Sequence, residues 1–341
     1  MRKIVTLPVA ALLSACQGLP APATHAAAPA SVVSPLALSR RPPANAPLPS
    51  WMRLGPMTGT GRIYVSMFNY TNVNEYVARN KKNAPPLCQI QNQTYVNGIG
   101  ADVSLDLWVP NAYASGLGFT AVFAPNCGKQ LFTIADKDGQ PAGVVFDRKG
   151  NVYIENIYGP PSHLLSGNVD VYKVKSRHKA RVLTYNDPRT YIWSDEALDA
   201  GGDLFVIYSD IYNKGHVIEF PGGKNPATVL PISLGFPGGL TVDSAGNLLV
   251  GDQDTAKISV YAPPFTGSPS AKFSLKASSV SCRFNLSRTH LYCSDFTNGS
   301  VDVYAYSSTN PGGTRYLYSF NNGIPRNANN TGIALAPPPP N

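Results

Sequence analysis

Residues 143–154 read GVVFDRKGNVYI, and residues 239–250 read GLTVDSAGNLLV. The two stretches match position by position: Gly143 with Gly239, Asp147 with Asp243, Gly150 with Gly246, and Asn151 with Asn247. Each reads as an apolar strand, a tight turn and a second apolar strand. The Asp closing the first strand can accept a hydrogen bond from the backbone two residues on, and the turn Gly supplies a positive φ. Three further copies keep the spacing, at Gly98–Val109, Asp195–Val206 and Ser281–Cys293, the last with one extra residue in its turn.

The neighbouring sequence repeats as well. The second strand is apolar throughout, as in Leu248-Leu249-Val250, which predicts burial on both of its faces. A third strand with apolar–polar alternation follows, clearest at Gly167–Tyr172 and Gly299–Tyr304 and weaker at Asn72–Tyr76, His216–Phe220 and Lys257–Tyr261. A more polar segment then reads as an exposed fourth strand. The second-strand centres Tyr64, Trp108, Tyr153, Phe205, Leu249 and Tyr292 recur about every 45 residues. Six copies of four strands predict an all-β fold, a six-bladed β-propeller. The first copy opens at its second strand, Arg62-Ile63-Tyr64-Val65, whereas Thr331–Ala336 is a first strand with no second. The C-terminal strand is therefore expected to pair with the first blade, which removes the open sheet edges.

The pattern of Gly, alternating apolar residues, Asp, two variable residues, Gly-Asn and an apolar run, then Gly-x-Val-x-Val-Tyr, resembles NHL-repeat propellers. It is also similar to the wider six-bladed group of gluconolactonase-like lactonases and streptogramin lyase-like proteins. The resemblance spans about residues 60–336. It implies the fold, and a fold of this kind hosts many activities. In the gluconolactonase-like relatives a divalent metal sits at the central mouth, held by a Glu, an Asn and an Asp from different blades. By that resemblance Asp195 or Glu196 supplies one ligand to calcium or another divalent metal, and an acidic pair on a loop is the alternative. The other two ligands have no match, because the expected mouth positions are Gly98, Gly143, Asp195, Gly239, Ser281 and Thr331.

The N-terminal region carries an address. Arg2 and Lys3 precede a mostly apolar run, Ile4–Leu13, which is shorter than the roughly 20 residues a membrane-spanning helix needs. The run ends Leu13-Ser14-Ala15-Cys16, which resembles the bacterial lipobox. Residues 1–15 are read as a lipoprotein signal peptide, Cys16 as the lipidated residue, and 16–50 as an Ala/Pro-rich tether. The folded body is expected over 51–336, with a disordered Pro tail at 337–341. Gln17, rather than Asp, follows Cys16, which by the sorting rule of enteric bacteria points to the outer membrane or cell surface. Four further cysteines in an exported chain predict disulfides. Of the three possible pairings, Cys282–Cys293 is expected because the two flank a short turn on adjacent strands. Cys88–Cys127 would then staple the first two blades.

Signatures of chemistry are sparse. No Gly-x-Ser-x-Gly elbow, His-Glu-x-x-His helix or phosphate loop occurs, and the five histidines lack metal spacing. Oxygen donors recur after the second strands at Asn111, Asn156, Asp210, Asp252 and Asp295. Repetition at one position suits side chains that close turns on loop amides; a ligand-lining ring is the alternative. Lys173, Lys175, Arg177, Lys179 and Arg181 form the densest basic run. They read as a solvated edge that blocks strand pairing, or as a contact for phosphate groups of lipid or cell-wall polymers. The net charge of +8 favours anionic partners, and export argues against nucleic acid. The expected function is a monomeric, cofactor-free, lipid-anchored envelope module binding a protein, glycan or small molecule. The alternative is a metal-assisted lactonase or lyase acting at the central mouth.

Overall fold

The computed structural model describes residues 61–113, 117–136, 139–158, 166–175, 178–326 and 328–339. The signal peptide and tether expected over 1–50, with Cys16, and Arg177 lie outside the described residues. Six four-stranded antiparallel sheets are present. Blade 1 combines β1 (Arg62–Met67), β2 (Val73–Val77) and β3 (Cys88–Ile90) with the last strand, β24 (Asn330–Ala336). Blade 2 holds β4 (Gly100–Ala101), β5 (Leu107–Ala112), β6 (Gly118–Phe123) and β7 (Gln130–Asp136). Blade 3 holds β8 (Pro141–Phe146), β9 (Asn151–Asn156), β10 (Asn168–Lys175) and β11 (His178–Asn186). Blade 4 holds β12 (Ile192–Leu198), β13 (Leu204–Ser209), β14 (Gly215–Phe220) and β15 (Thr228–Leu234). Blade 5 holds β16 (Pro237–Val242), β17 (Leu248–Asp252), β18 (Lys257–Tyr261) and β19 (Ala271–Ser274). Blade 6 holds β20 (Cys282–Phe284), β21 (His290–Asp295), β22 (Ser300–Ala305) and β23 (Arg315–Phe320).

The core consists of wedges between blades. Ile63 and Val65 of β1 pack with Tyr292, Val301 and Val303 of blade 6. Tyr64, between them in sequence, packs with Leu107, Val109 and Ala121 of blade 2. The same division recurs in β13, where Leu204 and Val206 face blade 3 and Phe205 and Ile207 face blade 5. Alternate residues of a strand point to opposite faces, so a second strand covered on both faces must be apolar throughout. The fourth strands have neighbours on one side only, and β7 and β15 alternate exposed with buried residues.

One side-chain device sets each first hairpin. Asp102 Oδ1 accepts from the amides of Ser104 and Asp106 at 2.8 and 3.0 Å. Asp147 does so from Lys149 and Asn151, and Asp199 from Gly201 and Asp203. Asp243 holds Ala245 and Asn247 in the same way. The turn glycines Gly150, Gly202 and Gly246 have φ of 77°, 87° and 80°, a region that disfavours a Cβ. In blade 6 the longer turn uses Asn285, whose Oδ1 accepts from Thr289 and His290.

Both disulfides join the expected partners. Cys282 and Cys293 lie directly opposite one another on β20 and β21. Cys88, on the outer strand of blade 1, joins Cys127, in the turn after β6, and so links blades 1 and 2. Ring closure is made by the expected C-terminal strand, with Arg62 opposite Ala336, Ile63 opposite Leu335 and Val65 opposite Ile333. Ile333 and Leu335 belong to the wedge between blades 6 and 1, and Ala334 and Ala336 to that between blades 1 and 2. Removing residues 331–341 therefore opens the ring and uncovers two wedges at once. We expect the truncated chain to lose cooperative thermal unfolding, measured by circular dichroism. The milder Ile333→Ala should retain it and lose about 2–5 kcal/mol. A truncated chain melting like the intact one would count against closure.

Candidate functional site

In a ring of such blades the turns between first and second strands share one face, here called the hairpin face. The links between blades and the turns between second and third strands share the other, the linker face. A cavity of about 180 Å³ lies on the hairpin-face side of the ring centre. Its walls include Val144, Phe146, Leu240, Val242, Phe284 and Leu335, all from first strands or their ends. Arg148 and Arg288, in hairpin turns, also border it, and so do Pro338 and Pro339. Pro337 is buried, so the described part of the C-terminal tail is seated against the ring.

The expected mouth was at the other end, where the first strands begin. There the backbones of adjacent blades touch. A Cβ on Gly98 would lie 2.7 Å from the Ala142 carbonyl oxygen of blade 3, and one on Gly239 would lie 2.7 Å from the Cys282 nitrogen of blade 6. Gly332 meets the backbone of Asn97 in the same manner. These glycines permit close approach of the blades rather than lining an open mouth.

Asp195 and Glu196 are not a loop pair. They sit within β12 and are buried. Asp195 receives Arg283 Nη1 and Nη2 at 2.9 and 2.6 Å and the Leu240 amide at 2.7 Å. Arg283 is on β20 of blade 6 and Asp195 on blade 4, so this ion pair joins two blades that are not neighbours. Burial works against the Arg283 charge, but the Asp195 carboxylate outweighs it and holds the guanidinium above its ordinary value. Both Asp195 oxygens are thus engaged by donors, one of them a cation. That arrangement does not fit a divalent-metal ligand, and no metal-dependent step is derived from it.

Glu196 faces a residue that the sequence reading missed, Glu155 of β9 in blade 3. Gly143 lies between them; a Cβ there would be 2.5 Å from Glu196 Oε2 and 2.7 Å from Glu155 Oε2. Both carboxyls are about 1% exposed, and no other protein group donates to Glu155 Oε1 or to either oxygen of Glu196. Burial pushes both above the usual carboxylate range, and the Glu196 charge raises Glu155 further. Two carboxyls so placed favour sharing a proton over ionising together. Glu196 and Arg283 both border the cavity. The available signal was a Glu inside an apolar strand, Tyr153-Ile154-Glu155, and an Arg inside Cys282-Arg283-Phe284.

The repeated oxygen donors hold loop amides at the linker face. Asp210 accepts from Tyr212 and Lys214, Asp295 from Thr297 and Asn298, and Asn111 from Thr94. Asp252 accepts from Phe236 and Asp254, and Asn156 donates to Asn168. Tyrosine recurs two residues later at Tyr113, Tyr158 and Tyr212, in blades 2, 3 and 4. Phe68 and Tyr70 occupy the corresponding turn of blade 1, and Tyr95 and Tyr191 stand in links between blades. Tyr212 is 76% exposed, Ile211 is 59% exposed, and Tyr95 and Tyr113 are also exposed. The sequence holds 18 tyrosines, and it is the blade register that gathers these few on one face.

The basic run lies on β10 and β11. Lys173 is exposed and Arg181 pairs with Asp170 at 3.3 Å; the side chains of Lys175 and Lys179 lie outside the described residues. Among the described residues, Glu75, Cys88 and Cys127 form the one metal-like cluster of acidic, thiol or imidazole groups. The disulfide takes both sulfurs, leaving no thiolate for a metal.

No protein-family model matches the chain. No curated protein matches it either. Solved structures do. One is a crystal structure of a nidogen/laminin complex, at 16% identity over 81% of this chain and 98% of that one, with a TM-score of 0.62. A Lactobacillus plantarum protein is 10% identical over 81% and 99% of the two chains, with a TM-score of 0.58. A putative 6-phosphogluconolactonase from Bacteroides fragilis is 12% identical over 80% and 86%, with a TM-score of 0.54. At these identities the likeness is one of fold.

The carboxyl pair has a consequence for pH. A carboxyl whose folded-state pKa is raised takes up its proton more readily in the native state than in the unfolded chain. Its contribution is present at low pH and is lost as pH rises through the folded value. Glu196→Gln removes one such group. Between pH 5 and 8 the variant should gain on the wild type by up to ~1.4 kcal/mol per pH unit, the equivalent of one proton. Parallel slopes in urea unfolding across that range would refute the shared-proton pair.

Proposed function

We propose that this protein is an extracytoplasmic, lipid-anchored binding module that engages its partner through the linker face. The observation that carries the reading is the repeated tyrosine in blades 2 to 4, two residues after Asn111, Asn156 and Asp210, where the second strand leads into the linker-face turn. Tyr offers a large apolar face and a polar tip at little conformational cost, and is enriched where proteins bind. Ile211 and Leu117 extend the exposed apolar surface on the same face. Sugar rings, with apolar faces and hydroxyl edges, match such a platform, so the partner is read as an envelope glycan. Two disulfides accord with a location outside the cytoplasm. No described helix is long and apolar enough to cross a membrane. The nidogen/laminin structure is a complex by its own description and adds a precedent of fold only. The lactonase alternative rests on resemblance; of its two candidate carboxylates, Asp195 is held by Arg283 and Glu196 faces Glu155.

Affinity electrophoresis of the purified body through gels carrying cell-wall glycans tests the face. The wild type should be retarded, and Tyr113→Ala/Tyr212→Ala should bind at least about tenfold more weakly, a loss of two aromatic contacts. Equal retardation of both would remove the linker face from the function. The anchor is tested separately. Cys16→Ser should abolish incorporation of a labelled fatty acid and move the protein from the membrane to the soluble fraction. Unchanged labelling would reject lipidation at this residue.

A further inference from the structure

We propose that the hairpin-face cavity binds a small organic amine, with its ammonium group received by Glu196, backed by Glu155, and its apolar body held by the first strands. This site is separate from the aromatic linker face and does not depend on it.

Three observations converge. First, the cavity walls are mostly apolar: Val144, Phe146, Leu240, Val242, Phe284 and Leu335. Its volume, about 180 Å³, equals that of about six waters. Second, the polar groups at its inner side are unevenly satisfied. Asp195 is saturated by Arg283 and the Leu240 amide. Glu155 Oε1 and both oxygens of Glu196 are buried, and beyond the proton the pair shares no donor on the protein reaches them. An ammonium group carries three N–H donors and no acceptor. Third, the two carboxyls face one another across Gly143, where a Cβ would lie 2.5 Å from Glu196 Oε2 and 2.7 Å from Glu155 Oε2, and Glu196 is the one of the pair that borders the cavity.

Charge selects the ligand class. Asp195 and Arg283 cancel, and a Glu pair sharing one proton leaves one negative charge. A neutral alcohol supplies a single donor and no charge, and a carboxylate supplies no donor and a like charge, which is costly in a low-dielectric site. A hard divalent cation seeks six to eight oxygens at short range, whereas this site offers the Glu pair beside a guanidinium. A protonated amine supplies donors and charge together, and its arrival releases the shared proton to solvent. Binding should therefore strengthen as pH rises, up to the pKa of the amine itself. The charged groups around the pair are Asp195 and Arg283; Asp102, Asp147, Arg148 and Arg288 stand nearer the cavity's opening.

The test compares n-hexylamine with n-hexanol and hexanoate, at matched ionic strength and pH 8, by thermal shift and isothermal titration calorimetry. Calcium and zinc chlorides are run alongside. We expect saturable stabilisation by hexylamine, at least tenfold weaker binding of hexanol, and none of hexanoate. Affinity for hexylamine should fall at least tenfold at pH 5.5 and at least tenfold in Glu196→Gln, while Tyr212→Ala binds it unchanged. Circular dichroism checks that Glu196→Gln is folded, and Glu155→Gln is the second variant. Equal binding of alcohol and amine, stabilisation by the metals without any by hexylamine, or no binding by the wild type would each overturn the proposal. None of these outcomes bears on the linker face, whose test uses glycans and Tyr113.

Discussion

The second strand of each blade has no face of its own. Ile63 and Val65 belong to one wedge and Tyr64 to the next, and β13 divides its side chains in the same way. A blade by itself would leave two apolar surfaces in water, so each is stable only between two neighbours. That requirement can be met for every blade only if the ring closes. Closure is why the chain's last strand, with Ile333 facing one wedge and Ala334 the other, completes a blade begun at Arg62.

Closure also shapes the centre. Near the linker face the first strands approach so tightly that Gly98, Gly239 and Gly332 have neighbouring backbone where a side chain would stand. Space opens toward the hairpin face. The polar groups between these zones cross from blade to blade: Glu155 of blade 3 meets Glu196 of blade 4, and Arg283 of blade 6 reaches Asp195 of blade 4. A buried ion pair adds little net stability by itself, since desolvation offsets much of the attraction. Its geometric effect is firmer, because the planar guanidinium accepts only one arrangement of the two strands. The ring thus presents two dissimilar faces, an aromatic one bearing loops and one with an apolar cavity. Turn chemistry keeps them apart: Asp at the hairpin turns, then Asn or Asp and Tyr at the linker turns.

Third-strand acids belong to the same logic. Asp170 accepts from Thr184 Oγ1 and Asp302 from Ser319 Oγ, each across from its own partner on the fourth strand. Glu75 occupies the equivalent place in blade 1, opposite Cys88, where a disulfide stands instead of a hydroxyl. Burial raises all three carboxyls above their ordinary values. Asp170 and Asp302 tie the exposed outer strands of their blades, which lack a second neighbour, to the packed inner ones.

Local sequence determined whatever depends on short range. The Asp and Gly of each hairpin, the apolar second strands, the count of six, the Cys282–Cys293 pair and the split first blade are all legible because each rests on residues a few positions apart, repeated at a constant period. Cys88–Cys127 was legible only by elimination, since its partners meet across blades. The centre of the ring was not legible. Arg283 and Asp195 meet after an interval of 88 residues, and Glu155 sits in a strand whose other residues announce only burial. What a carboxyl buried there faces depends on which blades are neighbours, on where a glycine leaves room, and on which end of the channel the backbones close. Those are properties of the closed ring, so only the tertiary structure decided that Asp195 is neutralised and that Glu155 and Glu196 are left facing one another.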